Sequence, residues 1–306
     1  MKIKINFTYL ILLVVSTAFI GSCKEDKLQD VENVSGLGGE TWVQGPIDKY
    51  IMDSLTTPFN IAMRYKWDPY EFSDITATLV PAKEEQIIPI SRTIRRAWIN
   101  PFVAQAGAVF FNKYSPKIFV LSGSAQFQYE SKILGSAEGG RKIVLMEVNE
   151  LRIKGMPNYV SARDSNNVKE FIRTIHHEYG HILHQNIMYP VEFKTVGQGL
   201  YQGQNWFNIS ETEARQDGFI TQYASSGFDD DWVETICYLL IEGKAGWERI
   251  INSIPAGTSI NGTSRADAQA KLRRKEALVV NYFKTAWGID FYSLQIKTRA
   301  AVVSLI

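Results

Sequence analysis

Histidine is scarce in this chain. There are four, and all fall in one short stretch, as His176, His177, His181 and His184. Cysteine is scarcer still: the two present, Cys23 and Cys237, cannot make the disulfide framework that holds small secreted folds together. An excess of one charge is missing as well. The 33 Lys and Arg against 32 Asp and Glu give no electrostatic footprint for nucleic acid. No internal repeat and no low-complexity tract is present, which excludes solenoids and extended polar linkers as the main architecture. The one long apolar run, Phe7 to Ile20, covers about 21 Å as a helix, short of the roughly 30 Å hydrocarbon core of a bilayer.

Around that run the chain starts like a processed leader. Lys2 and Lys4 precede it, and Ile20-Gly21-Ser22-Cys23 closes it with small residues before a cysteine, so residues 1–22 are expected to be removed. This layout resembles a bacterial lipoprotein signal, which implies that Cys23 becomes a lipidated mature N-terminus. Acyl chains contribute about 0.8 kcal/mol per buried methylene, enough for several of them to hold the protein to a membrane. Lys24-Glu25-Asp26 resembles the lysine-plus-acidic tag of surface-exported Bacteroidetes lipoproteins. It implies an outer-membrane location at the cell surface, with the periplasmic face as the alternative. Residues 23–45 are polar and carry Gly36-Leu37-Gly38-Gly39, as a flexible tether would. Without the leader lysines, 31 basic residues face 32 acidic ones. Residues 46–306 are long enough for one large domain or two lobes.

Within that span the apolar spacing predicts a short helix over Pro46–Leu55, a strand over Asn60–Trp67 and helix from Ile88 to Val109. Strands are expected over Lys117–Ser122 and Lys142–Val148, the second preceded by a turn region at Gly135–Gly140. Asn167 and Glu170 read as a capping box opening a helix whose Val168, Phe171, Ile172, Ile175, Tyr179, Ile182 and Leu183 recur at helical spacing until Pro190. Beyond Pro190 helices are predicted over Glu211–Gln222, Asp231–Ile241 and Arg265–Trp287. Cys237 lies in an apolar helical run and reads as a small core residue. Lys271, Arg273, Arg274 and Lys275 are expected on a solvated face.

The histidine stretch carries the chemistry. His177, Glu178 and His181 spell H-E-x-x-H, which on a helix places two imidazoles one turn apart on one face, in reach of one metal ion. Glu178 is displaced toward the metal's open side. Zinc held this way lowers the pKa of its water from about 15.7 to about 7, and a nearby carboxylate can take the proton as that water attacks a carbonyl. His176 points off this stripe and is expected to be structural. His184 lies on it one turn beyond His181, too far along a straight helix to share the ion, and is expected behind the ligands or in the core.

Two histidines do not hold a catalytic zinc, and with no further histidine the third ligand should be a carboxylate. Glu213 with Asp217, and Asp230 with Glu234, both offer carboxylates at i, i+4 spacing, where the first could bind metal and the second a ligand histidine. Each has a structural explanation too: Ser210 and Glu213 make a capping box, and Asp229 to Asp231 suit an acidic first turn of a helix.

The runs His177 to Gln185, Asp217 to Ser226 and Asp230-Asp231-Trp232-Val233-Glu234, with Pro58-Phe59-Asn60-Ile61, Pro116-Lys117 and Ala286 to Asp290, resemble the zinc-binding metallopeptidase lipoproteins of Bacteroidetes. More remotely they are similar to the catalytic lobe of anthrax lethal factor. The resemblance covers most of the mature chain. It implies an α+β zincin-like fold with a small mixed sheet before the metal-binding helix, in an upper lobe over residues 46–189, and a mainly helical lower lobe over 190–306. It implies one Zn²⁺ per chain, held by His177, His181 and Asp230, with Glu178 as general base and Glu234 behind the ligands. It also places Tyr223 where a phenol could donate to an oxyanion. Asp230 departs from the family pattern, which has glutamate there, and its shorter side chain requires a closer helix. In a zincin the sheet edge beside the metal pairs with extended peptide, and Ile143–Val148 is expected in or near that edge.

The expected function is a lipid-anchored zinc endopeptidase acting on peptide or protein, with no nucleic-acid partner and with a neighbouring nutrient-uptake complex as an associate. The alternative is a non-catalytic lipoprotein that uses the same fold to bind peptide or glycan.

Overall fold

The computed structural model describes residues 42–72, 78–128, 131–138 and 141–306. The leader, Cys23 and the tether up to residue 41 lie outside them. Gly45–Ile306 forms one compact unit, and its architecture is α+β.

It opens with helix α1 (Pro46–Ile51), which runs through a π-turn into Thr57–Phe59 and strand β1 (Ala62–Arg64). Helix α2 (Glu84–Ile94) continues through a second π-turn into α3 (Asn100–Tyr114). Five strands follow: β2 (Ile118–Leu121), β3 (Gln126–Gln128), β4 (Ser131–Ile133), β5 (Gly135–Glu138) and β6 (Lys142–Leu145). β3 and β4 pair as a separate hairpin. The main sheet has the order β1-β2-β6-β5, with the first three strands parallel and β5 antiparallel to β6. In register, Phe119 faces Ile143 and Leu121 faces Leu145, and all four are buried, as parallel strands covered on both faces should be. β6 therefore lies inside the sheet. The edge on its side of the sheet is the neighbouring β5, in the region expected to be a turn.

The long helix α4 (Ser161–Asn186) carries the histidines. It begins about two turns earlier than the capping-box reading of Asn167 and Glu170 placed it. The reason is Asp164: its carboxylate accepts the Val160 amide at 2.6 Å, serving one of the N–H groups that a helix start leaves without partners. One face of α4 enters an aromatic core. Tyr179 meets Trp98 edge-on at 5.1 Å and Phe102 at 5.0 Å, arrangements favoured by the ring quadrupoles. Trp98 in turn packs on Phe111 and Phe119, which ties α4 to α3 and to β2.

The second half is helical: α5 (Glu192–Val196), α6 (Glu211–Gln216), α7 (Phe228–Asn252), α8 (Arg265–Trp287) and α9 (Phe291–Val303). α6 stops well before Gln222, its predicted end. α7 reaches further than Ile241 but breaks at Gly243, whose φ of 65° suits glycine. Arg299 of α9 donates to the Ile241 carbonyl at 2.7 Å beside that break. Helix α8 has the predicted bounds, yet Lys275 is not on a solvated face. It is fully buried, with Nζ 2.7 Å from Asp231 Oδ2 and 2.8 Å from the Gly218 carbonyl. A buried ammonium needs such partners, and here they pin α8 to the first turn of α7.

Removing one partner of a buried ion pair typically costs about 3–5 kcal/mol. Lys275→Met is expected to lower stability by that order in urea unfolding, and adding Asp231→Asn to recover part of it. A single variant as stable as wild type would contradict the pair's structural role.

Candidate metal centre

Helices α4 and α7 run antiparallel and meet along a polar seam built from two stripes of four-residue spacing. Lys169 Nζ lies 2.8 Å from Glu242 Oε1, Arg173 Nη1 donates to Tyr238 Oη at 2.5 Å, and His177 Nδ1 meets Glu234 Oε1 at 2.9 Å. The last rung sets His181 Nε2 3.5 Å from Asp230 Oδ1. Residues four apart share one helix face, so two such stripes in antiparallel order produce the ladder. The helices come close where they cross near Gly180, since a Cβ there would sit 2.8 Å from Val233 Cγ1.

At the end of the seam three atoms converge. Nε2 of His177 and Nε2 of His181 are 3.1 Å apart, and Asp230 Oδ1 lies 3.7 and 3.5 Å from them. Two zinc bonds of about 2.0–2.2 Å at a tetrahedral angle put their ligand atoms roughly 3.3–3.6 Å apart. The spacing thus fits three ligand atoms of a zinc ion. The short reach of Asp230 is met by the close helix approach.

The partners behind these atoms decide their electronic character. Burial opposes the charge on Glu234, but the His177 hydrogen bond and the Arg173 guanidinium outweigh it, with Thr221 Oγ1 donating at 2.7 Å, and hold its carboxyl down at about 2. An ionised Glu234 requires the proton of neutral His177 on Nδ1, leaving the Nε2 lone pair toward Asp230. His181 Nδ1 meets His184 Nε2 at 2.9 Å. Burial and the neighbouring His181 push the His184 pKa down to about 4; in the tautomer that keeps the neutral His184 proton on Nδ1, its Nε2 accepts from His181 Nδ1 and the His181 Nε2 lone pair is left toward Asp230. Three acceptors facing one another call for positive charge between them, a proton or a metal cation.

Asp230 is itself fixed. Ser226 Oγ donates to its Oδ2 at 2.6 Å, and the Tyr223 phenol hydrogen-bonds to it. Its neighbours in the first turn of α7 are held too, Asp229 by Tyr189 and Asp231 by Tyr201 and Lys275. Burial and the Asp230 charge push the Tyr223 pKa up, so the phenol stays a donor. Its ring lies 5.7 Å from that of His177. Glu178 is buried beside the same groups, and burial raises its pKa above the usual glutamate value, against the pull of His177 and His181.

The other sequence candidates lie elsewhere. Glu213 is exposed and caps its own helix, accepting from Ser210 N and Oγ at 2.7 Å. Asp217 accepts from Ser259 and Asn261. His176 is buried, its Nε2 3.2 Å from the Ala97 carbonyl. Cys237 is buried as expected and joins His177 and Glu234 in a second convergent trio. Burial and the Glu234 charge push its thiol well up, so it keeps its proton and makes a poor ligand. Sequence reasoning missed Arg173, Thr221 and Ser226. The four-residue stripes Lys169-Arg173-His177-His181 and Asp230-Glu234-Tyr238-Glu242 could have pointed to the first. Thr221 and Ser226 sit in irregular chain, where spacing carries no signal.

Residues 40–292 match the family described as "Putative zinc-binding metallo-peptidase", and the chain belongs to that family. Among solved structures it is similar to a putative zinc-binding metallo-peptidase from Bacteroides caccae, with 25% identity and a TM-score of 0.65. That likeness covers 84% of this chain and 91% of the other. No curated protein matches the chain.

Outer partners of zinc-bound histidines typically contribute 10–100-fold to metal affinity. Glu234→Ala is expected to weaken zinc binding by that factor in a chelator competition, with helix content retained. Unchanged affinity would contradict its role behind His177.

Proposed function

We propose that this member of a zinc-binding metallo-peptidase family is a zinc-dependent endopeptidase that hydrolyses peptide bonds. The observation that carries the reading is Glu178, a buried carboxylate beside the convergence of His177, His181 and Asp230. Capture of a ligand would need no base there, which sets hydrolysis ahead of the non-catalytic alternative.

In this reading His177 and His181 offer Nε2 and Asp230 offers Oδ1 to a single zinc. Bound there, zinc supplies Lewis acidity toward the substrate carbonyl and acidifies water. Glu178 takes a proton from the water as its oxygen adds to the carbonyl carbon. The carbon–nitrogen bond then breaks, and Glu178 returns that proton to the departing amine. Tyr223, protonated and adjacent, turns its single O–H from Asp230 to the oxygen on which negative charge develops. Glu234 and His184 keep the two imidazoles in the tautomers that face the ion.

Localisation is part of the same proposal. Residues 1–22 serve as a cleaved leader, Cys23 as the lipidated N-terminus, and 23–45 as the tether that holds residues 46–306 away from an outer membrane, at the cell surface beside a nutrient-uptake complex. The support is the pattern of residues 1–39, with its basic start, apolar run, small residues before cysteine and glycine-containing polar stretch.

Glu178→Gln separates hydrolysis from binding. It is expected to retain zinc while kcat/KM on a peptide mixture falls by at least about 10²–10⁴. Turnover equal to wild type would remove Glu178 from the mechanism. Peptide capture by both proteins with no cleavage by either would favour the binding lipoprotein.

A further inference from the structure

Beside the metal centre, the chain from residue 195 to 210 contains no charged residue and no histidine. It ends in a 3-10 helix, Gly203–Asn208, that carries Trp206 and Phe207. The segment is tied to the short helix bearing Tyr223, because Gln202 N donates to the Ser225 carbonyl at 2.7 Å. The Trp206 ring meets Tyr223 edge-on at 4.9 Å, and the Tyr223 ring lies 5.7 Å from His177. Phe207 follows at 6.0 Å from Trp206. The series runs from a metal-facing imidazole through Tyr223 and the half-buried Trp206 to the exposed Phe207. Tyr223 is 37% and Phe207 43% exposed.

We infer that Trp206, Phe207 and the ring of Tyr223 form a subsite for a bulky apolar side chain of the substrate peptide. The inference rests on the peptidase reading and names the substrate class for it. Three features support it. Exposed aromatic surface beside a polar centre is what a binding site presents. No ion-pairing group lies on the segment, so a charged side chain would meet only neutral amides there and gain no ion pair for the water it loses. The distance also fits: extended peptide advances about 3.3 Å per residue, so two ring contacts outward from His177 correspond to a side chain within about three residues of the scissile bond. The nearer rings are edge-on to each other, and an apolar or aromatic side chain can lie against both. Burying such a side chain is worth roughly ten- to a hundredfold in kcat/KM over alanine at the same place.

The test uses zinc-loaded protein and a peptide library varied one position at a time around the cleaved bond. Wild type is expected to prefer Leu, Phe or Met over Ala by about tenfold or more at one position. Trp206→Ala is expected to reduce that ratio toward one while its zinc content stays at the wild-type level. Phe207→Ala, at a more exposed ring, is expected to reduce it less. The ratio is internal to each protein, so a general loss of activity leaves it unaffected. An unchanged ratio in zinc-loaded Trp206→Ala overturns the subsite, and Trp206→Phe, which keeps an aromatic ring there, is expected to restore most of the preference if the alanine variant does not fold. Cleavage that is indifferent to apolar residues, or that selects sugar-bearing peptides over bare apolar ones, overturns the subsite alone. Absence of cleavage of every peptide by zinc-loaded wild type overturns the peptidase reading and the subsite with it.

Discussion

The hydrogen bond from His177 Nδ1 to Glu234 Oε1, 2.9 Å long and buried, links the two helices on which the centre depends. It lies in the middle of the α4–α7 seam, with an ion pair and the Arg173–Tyr238 contact on one side and the convergent acceptors on the other. A buried carboxylate is costly unless paired. Glu234 is paired by His177, Thr221 and the nearby Arg173 charge, and that full set of partners keeps it ionised. The ionised form fixes the His177 tautomer, and the tautomer fixes which nitrogen is free. One constraint therefore passes from packing, through charge, to the lone pair that a metal would use.

Each side of α4 has its own task. Tyr179 and His176, within or next to H-E-x-x-H, point away from the seam into the aromatic core of Trp98 and Phe102. Rotation of α4 that moved the ligand stripe would have to pull these rings out of a packed interior, where even small volume changes are resisted. On the seam side Gly180 lets α7 come near. The first turn of α7 is then held by Tyr189, Ser226, Tyr201 and Lys275 on three consecutive aspartates. An aspartate at position 230 reaches the histidines because the helix that bears it is fixed so close.

Much of this was legible in the sequence, and the exceptions have physical causes. His177, Glu178 and His181 are readable because one helix fixes their geometry and spacing alone determines it. Asp230 and Glu234 come from a second helix, where spacing gives the stripe but not its neighbour. The sequence left Glu213 open for that reason, until the fold put Glu213 at an exposed cap. Lys275 was misread because basic residues usually face water; a buried ammonium is visible only when its partner, Asp231, is placed beside it. The start of α4 was misplaced because its N-cap is Val160, which has no capping side chain to mark it, and Asp164 serves the Val160 amide from inside the helix. The edge strand was missed because Gly135 to Glu138 has glycine and small residues where β-propensity expects branched ones. Its pairing with β6 supplies the order that composition does not.

The central claim is that His177, His181 and Asp230 together hold one zinc ion. Its most direct test is zinc per chain by elemental analysis, on soluble protein lacking residues 1–23, wild type beside Asp230→Ala. The account predicts about one zinc per wild-type chain and loss of most of it in the variant. Wild type that neither carries nor takes up zinc, or a variant that keeps a full complement, would contradict it.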